Sequence, residues 1–145
     1  LVVAEEKTLF CFSEAKLGLA PAVISAFVKE RLTVGQMNRW FLTADVFNSQ
    51  EALQMGLVHQ VVPEAELENV MRKWTASFFS NGPQAVRATK QLIQQISSTN
   101  DQMALKKITS RLIAQLRSGS EGQEGLKSFF EKREPSWRSS NKAKP

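Results

Sequence analysis

Short apolar runs, each bounded by polar residues, mark the first half of the chain. Residues 1–4 and 9–12 are runs of this kind and predict two strands, which the charged turn at residues 5–7 joins as pairing neighbours. Residues 57–62 predict a third strand, which Pro63 ends. Sheets usually have about four to six strands, so three short ones leave open edges. We therefore expect the rest of the sheet to come from other chains or from a preceding part of a longer α/β protein.

Capping signals and glycines place the helices between these strands. Thr33 and Gln36 have capping-box spacing, which predicts the start of a helix. Ser49 is predicted to cap a short helix that Gly56 ends, since glycine adopts a left-handed conformation at low cost. The helices predicted in this half span residues 22–32, 33–43 and 50–55.

From residue 64 onward, apolar positions recur at the helical spacings of three and four. In the helix that follows a cap at residues 99–101 they recur near every 3.5 residues, which is typical of packing on a partner helix. Ser120 and Gln123 have capping-box spacing and predict the start of the last helix. The predicted helices span residues 64–80 and 83–97, continue from the cap at 99–101 through Leu116, and end with 120–133.

The composition, 42% hydrophobic and 23% charged, is typical of a globular protein, and 145 residues suit one domain. No run approaches the roughly 18 apolar residues of a membrane-spanning helix. Cys11 is the only cysteine and has no partner for an internal disulfide. We therefore expect a reducing compartment, which is the cytoplasm, or the mitochondrial matrix in a eukaryote.

Positive charge is concentrated in the second half of the chain. Residues 1–81 hold seven Lys and Arg against nine Asp and Glu, whereas residues 82–145 hold twelve against five. Such a basic segment suits nucleic acid, an acidic membrane surface or a phosphorylated small ligand, or is simply a solvated face. No aromatic residue lies between residues 82 and 128, so bases have no stacking platform there. We expect neither nucleic acid nor membrane as a partner.

Few residues offer catalytic or metal-binding chemistry. One Cys and one His provide no cluster of ligands, so no metal site is predicted. His59 is interpreted as a half-exposed strand histidine and a poor catalytic candidate. Glu14 follows an apolar strand at its junction with a loop, where a carboxyl group can project into a cleft and exchange protons. The alternative is a Glu in a short helical turn that Ser13 caps and Gly18 ends, and spacing alone leaves both interpretations open.

Residues 10–21, Phe-Cys-Phe-Ser-Glu-Ala-Lys-Leu-Gly-Leu-Ala-Pro, hold a Phe, a Glu, a Leu-Gly pair and a Pro at characteristic intervals. This segment closely resembles one of the enoyl-CoA hydratase/isomerase (crotonase) superfamily. Residues 16–25 look most like the methylglutaconyl-CoA and carboxygeranoyl-CoA hydratase branch. Further segments that resemble the superfamily, in the same order, are residues 41–45, 51–63, 82–90 and 124–133.

The resemblance implies an α/β fold, the crotonase-like ββα spiral, of which this chain is the second half. Residues 1–80 are then the C-terminal part of the crotonase core, which includes the loop of the catalytic glutamate. Residues 81–137 are the helical region of trimerisation and CoA contact, and residues 138–145 are a flexible tail. The implied assembly is a homotrimer or a dimer of trimers.

The resemblance also implies a hydro-lyase that adds water to an α,β-unsaturated acyl-CoA thioester through an enolate-like intermediate. Glu14 matches the catalytic glutamate, and Phe129 and Lys132 match positions that approach the CoA adenine and phosphate from a neighbouring subunit. The thioester is the substrate, and no other cofactor is implied. The oxyanion-hole donors and a second acidic residue belong upstream of Leu1, so we expect this chain to hold half of the active site and to be inactive alone.

Other functions stay open at this stage. The superfamily also includes isomerases, decarboxylases and thioester hydrolases, and the acyl pocket that would decide between them is expected upstream. A function of another class is a non-catalytic oligomerisation or basic interaction module built from the C-terminal helices. For Lys132, a solvated lysine at a helix end is an equal alternative.

Overall fold

The computed structural model of the chain describes residues 1–141, with side chains up to residue 138. The chain divides into two compact units. The first unit is Leu1–Arg72 and the second begins at Lys73. The division after residue 80, between the core and the region of trimerisation and CoA contact, stays a prediction.

Within the described residues, the first unit holds four short strands and three helices. The strands are β1 (Val3–Glu5), β2 (Leu9–Phe10), β3 (Phe47–Asn48) and β4 (Gln60–Val62). The helices are α1 (Ala22–Val28), α2 (Val34–Thr43) and α3 (Ser49–Gln54), with 3₁₀ turns at Ser13–Leu17 and Glu64–Glu66. Helix α4 (Leu67–Ser80) runs from the first unit into the second, which also holds α5 (Pro83–Ser97), α6 (Gln102–Ser118), α7 (Ser120–Phe130) and α8 (Ser136–Asn141).

The strands form two separate two-stranded sheets. β1 pairs in parallel with β4, with Val3 opposite Gln60, and β2 pairs antiparallel with β3, with Phe10 opposite Phe47. The expectation that the first two strands pair with each other is therefore wrong. Phe10 and Phe47 favour the observed pairing of β2, because their rings stack across the strands with centroids 5.5 Å apart.

The third predicted strand is shorter than expected. β4 begins at Gln60, because the backbone N–H groups of Leu57 and Val58 both donate to the Ala52 carbonyl oxygen, at 2.9 and 3.3 Å. These bonds close the end of α3 and keep the two residues out of a strand. Gly56 has a φ of +77°, which confirms its predicted left-handed conformation.

Aromatic rings occupy the centre of the core of the first unit. Phe47 and Trp40 are almost fully buried, with ring centroids 4.7 Å apart, and Phe12 meets Phe41 edge-on at 4.7 Å. Burial of this apolar surface is the main favourable contribution to folding. We call Phe10, Phe12, Trp40, Phe41 and Phe47 the aromatic cluster. The other buried residues of this core are Ala4, Val28, Leu32, Ala52 and Val58.

The starts of α2 and α3 test two predicted caps. Thr33 Oγ1 accepts a hydrogen bond from the Gln36 N–H at 3.2 Å, and Gln36 Oε1 accepts one from the Thr33 N–H at 2.8 Å, so the capping box is confirmed. α3 is capped by Asn48 rather than Ser49, since the Asn48 side chain accepts from the N–H three residues on, at 2.9 Å. Ser49 is fully buried, and its hydroxyl donates instead to the Glu6 carbonyl oxygen at 2.7 Å.

The caps of α6 and α7 likewise differ in outcome. Asp101 caps α6, as predicted. Ser120 and Gln123 do not form the expected capping box at α7. Gly119 occupies the cap position, and the Gln123 side chain donates to the Arg117 carbonyl oxygen at 2.6 Å.

The C-terminal segment is helical where a flexible tail was expected. α8 includes residues 138–141. Trp137 Nε1 and Arg138 Nε both donate to the Ser80 carbonyl oxygen, at 3.2 and 3.0 Å, and so tie α8 to the end of α4. Residues 142–145, the rest of the predicted tail, lie outside the described residues.

Candidate active site

Glu14 lies on the 3₁₀ turn that follows β2, and the backbone of this turn is held at both ends. Phe12, two residues earlier, is buried, and its ring packs against Phe41 and Phe47 of the aromatic cluster. Beyond Glu14, Gly18 has a φ of +72°, a left-handed conformation that glycine adopts without a Cβ clash. Buried rings on one side and a glycine turn on the other therefore fix the position of Glu14.

The Glu14 side chain is half-buried, and within the part of the chain that the structure describes no hydrogen bond or ion pair engages its carboxylate. Ser13 does not cap the turn, because no side-chain hydrogen bond forms at its start. Gly18 does end the turn, and its N–H donates to the Ala15 carbonyl oxygen at 3.2 Å. The result is a carboxylate on a fixed backbone, with the lone pairs needed to exchange a proton with a bound molecule.

Phe129 and Lys132 lie together at the C-terminal end of α7. The helix ends at Phe130, earlier than predicted, and Lys132 has a φ of +52°, which is incompatible with a continuing helix. The Lys132 N–H donates to the Phe129 carbonyl oxygen at 3.2 Å. Phe129 is 78% exposed, and its ring meets the Phe130 ring edge-on at 5.8 Å. The structure thus brings these two predicted residues to one turn of the second unit, whereas Glu14 belongs to the first.

A charged constellation that sequence analysis missed lies in the same segment. The Arg133 guanidinium donates to both carboxylate oxygens of Glu124, at 2.7 and 2.8 Å, and to Glu131 Oε2 at 2.7 Å. The Ser136 N–H donates to the same Glu124 carboxylate at 2.8 Å. Glu124 and Arg133 are nine residues apart, so the spacings of three and four that indicate neighbours on a helix gave no signal for this pair.

The Glu124 carboxylate makes the stability of the second unit depend on pH. The hydrogen bond from Arg133, followed by that from Ser136, lowers the pKa of Glu124 from its usual 4.5 to about 2. A carboxyl group with a lowered folded pKa stabilises the fold fully above its unfolded pKa, and this contribution is lost as the pH falls through the folded value. We therefore expect the thermal unfolding midpoint to fall as the pH drops from 4.5 to about 2.

Glu124→Gln should remove part of this pH dependence, which thermal unfolding followed by circular dichroism across the acid range would show. Glu68→Gln is the control, because the Glu68–Arg72 pair is exposed and contributes little. Parallel pH profiles for wild type and Glu124→Gln would contradict the expectation.

His59, the other residue considered for catalysis, has a structural role. His59 precedes β4 and is exposed, so the expectation of a half-exposed strand histidine is wrong. The imidazole Nδ1 of His59 accepts a hydrogen bond from the Val2 backbone N–H at 2.9 Å, and the backbone N–H of His59 donates to the Val2 carbonyl oxygen at 2.8 Å. Among residues 1–141, no group of three His, Cys, Asp or Glu side chains is placed to hold a metal ion. None of the helices described combines the length and the apolar character needed to cross a membrane.

An apolar cavity of about 450 Å³ lies beside β2 in the first unit. Its walls are mostly apolar side chains, and Cys11 and Arg31 are the polar exceptions. Both are engaged with backbone, since Cys11 Sγ donates to the Ala44 carbonyl oxygen at 3.3 Å and Arg31 to that of Leu57 at 3.0 Å. Glu14 does not line this cavity, so the two are separate features of the unit.

Comparison with known proteins gives the family. A family model described as enoyl-CoA hydratase/isomerase matches residues 1–141. The chain is also 27% identical over 141 residues to carnitinyl-CoA dehydratase of Salmonella paratyphi A, a match that covers 94% of this chain and 54% of that protein.

Solved structures share the fold. An enoyl-CoA hydratase from Shewanella pealeana matches with a TM-score of 0.87 and 37% identity, over 93% of this chain and 50% of that one. An enoyl-CoA hydratase/isomerase from Marinobacter aquaeolei matches with a TM-score of 0.88 and 31% identity, over 95% and 52%. The chain therefore spans about half the length of these relatives. With its crotonase-like α/β fold, the chain belongs to the enoyl-CoA hydratase/isomerase family.

Proposed function

We propose that the chain supplies the C-terminal half of the active site of an enoyl-CoA hydratase-type enzyme, with Glu14 as general acid or base. The observation that carries the proposal is the half-buried Glu14 carboxylate, which no hydrogen bond or ion pair engages within the described residues. Glu124 shows the contrast, because a carboxylate that accepts a bidentate Arg is committed to that partner. Glu14 keeps its lone pairs available for water or substrate.

In the proposed reaction, water adds across the double bond of the enoyl thioester. The Glu14 carboxylate accepts a proton from the water, whose oxygen bonds to the β-carbon, and the electron pair of the double bond moves toward the thioester carbonyl. The enolate-like state then takes a proton at its α-carbon from the protonated Glu14. Donors that stabilise the enolate oxygen are usually the largest catalytic contribution. We assign them to the half of the relatives' length that this chain does not cover, so the chain alone is expected to be inactive.

The proposed substrate is a CoA thioester, and no further cofactor is needed. Phe129 and Lys132 would contact the adenine and a phosphate of CoA bound to a neighbouring subunit of a trimer or a dimer of trimers. Phe129 offers an exposed apolar ring, and Lys132 is an exposed cation on the same turn. Charge-assisted hydrogen bonds to phosphate are strong, and residues 82–145 carry twelve Lys and Arg against five Asp and Glu.

The proposal also includes the acyl group of the substrate and the reaction that the enzyme catalyses. Residues 16–25 favour the methylglutaconyl-CoA and carboxygeranoyl-CoA hydratase branch. Carnitinyl-CoA dehydratase, by its name, removes water from a CoA thioester, which is the reverse of hydration. We therefore favour hydration over isomerisation, decarboxylation and thioester hydrolysis.

Product analysis tests the proposal in the full-length protein that contains this chain. Crotonyl-CoA and 3-methylglutaconyl-CoA are incubated with it in D₂O, and the products are followed by NMR. Hydration gives a 3-hydroxyacyl-CoA with deuterium on the α-carbon. A shifted double bond would indicate isomerisation instead of hydration. Released CO₂ would indicate decarboxylation, and free CoA thiol would indicate thioester hydrolysis. No turnover of either thioester would overturn the enzymatic proposal in favour of a non-catalytic assembly module.

A further inference from the structure

We infer that the Glu124–Arg133 ion pair is a positioning device, which holds the turn carrying Phe129 and Lys132 in the geometry that binds the nucleotide end of CoA. The inference rests on the proposed function, since it takes a CoA thioester as the ligand. Glu124 and Arg133 act through the two ligand-contacting residues and are therefore positioning residues.

Lys132 is the strained residue of this turn. Its φ of +52° lies in the left-handed region, which residues other than glycine seldom adopt. A left-handed residue directly after a helix is a common C-cap, and in the Schellman motif two backbone hydrogen bonds hold it. Here the Lys132 N–H donates to the Phe129 carbonyl oxygen at 3.2 Å, and the Arg133 N–H donates to the carbonyl oxygen of buried Ser128 at 3.0 Å.

The ion pair fixes both chain neighbours of Lys132. Arg133 follows it directly and makes two hydrogen bonds to Glu124, at 2.7 and 2.8 Å. Glu131 precedes it directly and accepts a third hydrogen bond from the same guanidinium, at 2.7 Å. A planar guanidinium that binds a carboxylate through two bonds fixes orientation as well as distance. The turn is thereby clamped onto the middle of α7.

The side chains beside this clamp indicate what it is for. Phe129 and Phe130 are 78% and 77% exposed, so the clamped turn buries little apolar surface of its own. What the clamp achieves is a fixed backbone for an exposed aromatic ring and an exposed cation three positions apart, Phe129 and Lys132, on one turn. This combination suits an adenine ring with a nearby phosphate.

The test compares two substrates in the full-length enzyme. Crotonyl-CoA carries the adenine nucleotide, and crotonyl-pantetheine presents the same reacting group without it. Arg133→Lys keeps the positive charge but loses the planar fork. We expect it to raise KM for crotonyl-CoA roughly tenfold, the effect of one charge-assisted hydrogen bond. The kcat for crotonyl-CoA and both constants for crotonyl-pantetheine should stay near wild type.

Two further variants keep the test independent of any one replacement. Glu124→Gln weakens the pair from its other side and should raise KM for crotonyl-CoA similarly. Lys132→Gly removes the ammonium group while favouring the same positive φ, and it should also raise KM for crotonyl-CoA. Arg72→Lys is the matched control, because the exposed Glu68–Arg72 pair lies on α4, away from this turn in the sequence.

The outcomes separate this inference from the proposed function. If the wild-type enzyme turns over neither crotonyl-CoA nor 3-methylglutaconyl-CoA, the proposed function fails and the inference fails with it. If it turns over only 3-methylglutaconyl-CoA, the comparison uses that thioester and its pantetheine analogue. If Lys132→Gly raises KM for crotonyl-CoA but Arg133→Lys and Glu124→Gln do not, the proposed function stands and the positioning role is overturned. Equal losses with both thioesters would also overturn it, since they would indicate a general effect on the fold.

Discussion

Glu14→Gln is expected to lower the rate of enoyl-CoA hydration by roughly 10²- to 10⁴-fold in the full-length protein, the usual contribution of a general acid or base. Gln has nearly the same shape as Glu but cannot carry the transferred proton. No hydrogen bond or ion pair in the described part of the chain depends on the Glu14 carboxylate. KM and the thermal unfolding midpoint should therefore change little. Steady-state kinetics and circular dichroism on the same preparation measure all three.

Glu30→Gln is the matched control for this experiment. Glu30 is an exposed carboxylate of the same unit, so its replacement removes the same charge at a position with no proposed role. Its turnover should stay near wild type. Near-wild-type turnover in Glu14→Gln would contradict the assignment of Glu14 as general acid or base. A fall in both the rate and the unfolding midpoint would indicate a structural role instead.

The parts of the fold that local signals specify were predictable from the sequence. The capping box of Thr33 and Gln36 and the left-handed Gly56 each depend on contacts within a few residues. The same holds for Gly18, which ends the turn that carries Glu14. For such features the spacing of residue types contains most of the physical information, and the structure confirms them.

Features that depend on distant contacts were predicted wrongly or missed. Asn48 and Ser49 are adjacent and are both favourable N-cap residues, so their local sequence does not distinguish them. The deciding contact joins the Ser49 hydroxyl to the Glu6 carbonyl oxygen, 43 residues earlier. Strand pairing follows the same logic, because the partner of Val3 is Gln60, and no local pattern encodes that choice.

The candidate site divides in the same way. The motif at residues 10–21 singles out Glu14, but the motif does not tell whether another side chain engages its carboxylate. The structure answers this for the described residues, since the carboxylate has no such partner. The Glu124–Arg133 pair could not be predicted, because the two residues are nine positions apart and do not match the spacings of a helix. The turn at Lys132 brings them together.

Gly122→Ala is expected to destabilise the second unit by about 3 kcal/mol, although alanine is ordinarily the better helix former. Gly122 lies in the first turn of α7, directly after the junction with α6. A Cβ atom added there would overlap the Leu116 carbonyl oxygen and lie 3.3 Å from the Arg117 Cα atom. Because these are backbone atoms, relief requires the two helices to separate rather than a side chain to rotate.

Gly35→Ala is the matched control, and it should raise the stability of the protein where Gly122→Ala lowers it. Gly35 lies in the first turn of α2, where the nearest atom to an added Cβ is Thr33 Oγ1, at 4.0 Å. Without a clash, the smaller entropy of the unfolded chain should stabilise the protein by about 0.5 to 1 kcal/mol. Thermal unfolding should show a midpoint about 10 °C below wild type for Gly122→Ala and a small rise for Gly35→Ala. A Gly122→Ala variant as stable as wild type would show that the junction of α6 and α7 opens without cost, and that glycine is not required for their close approach.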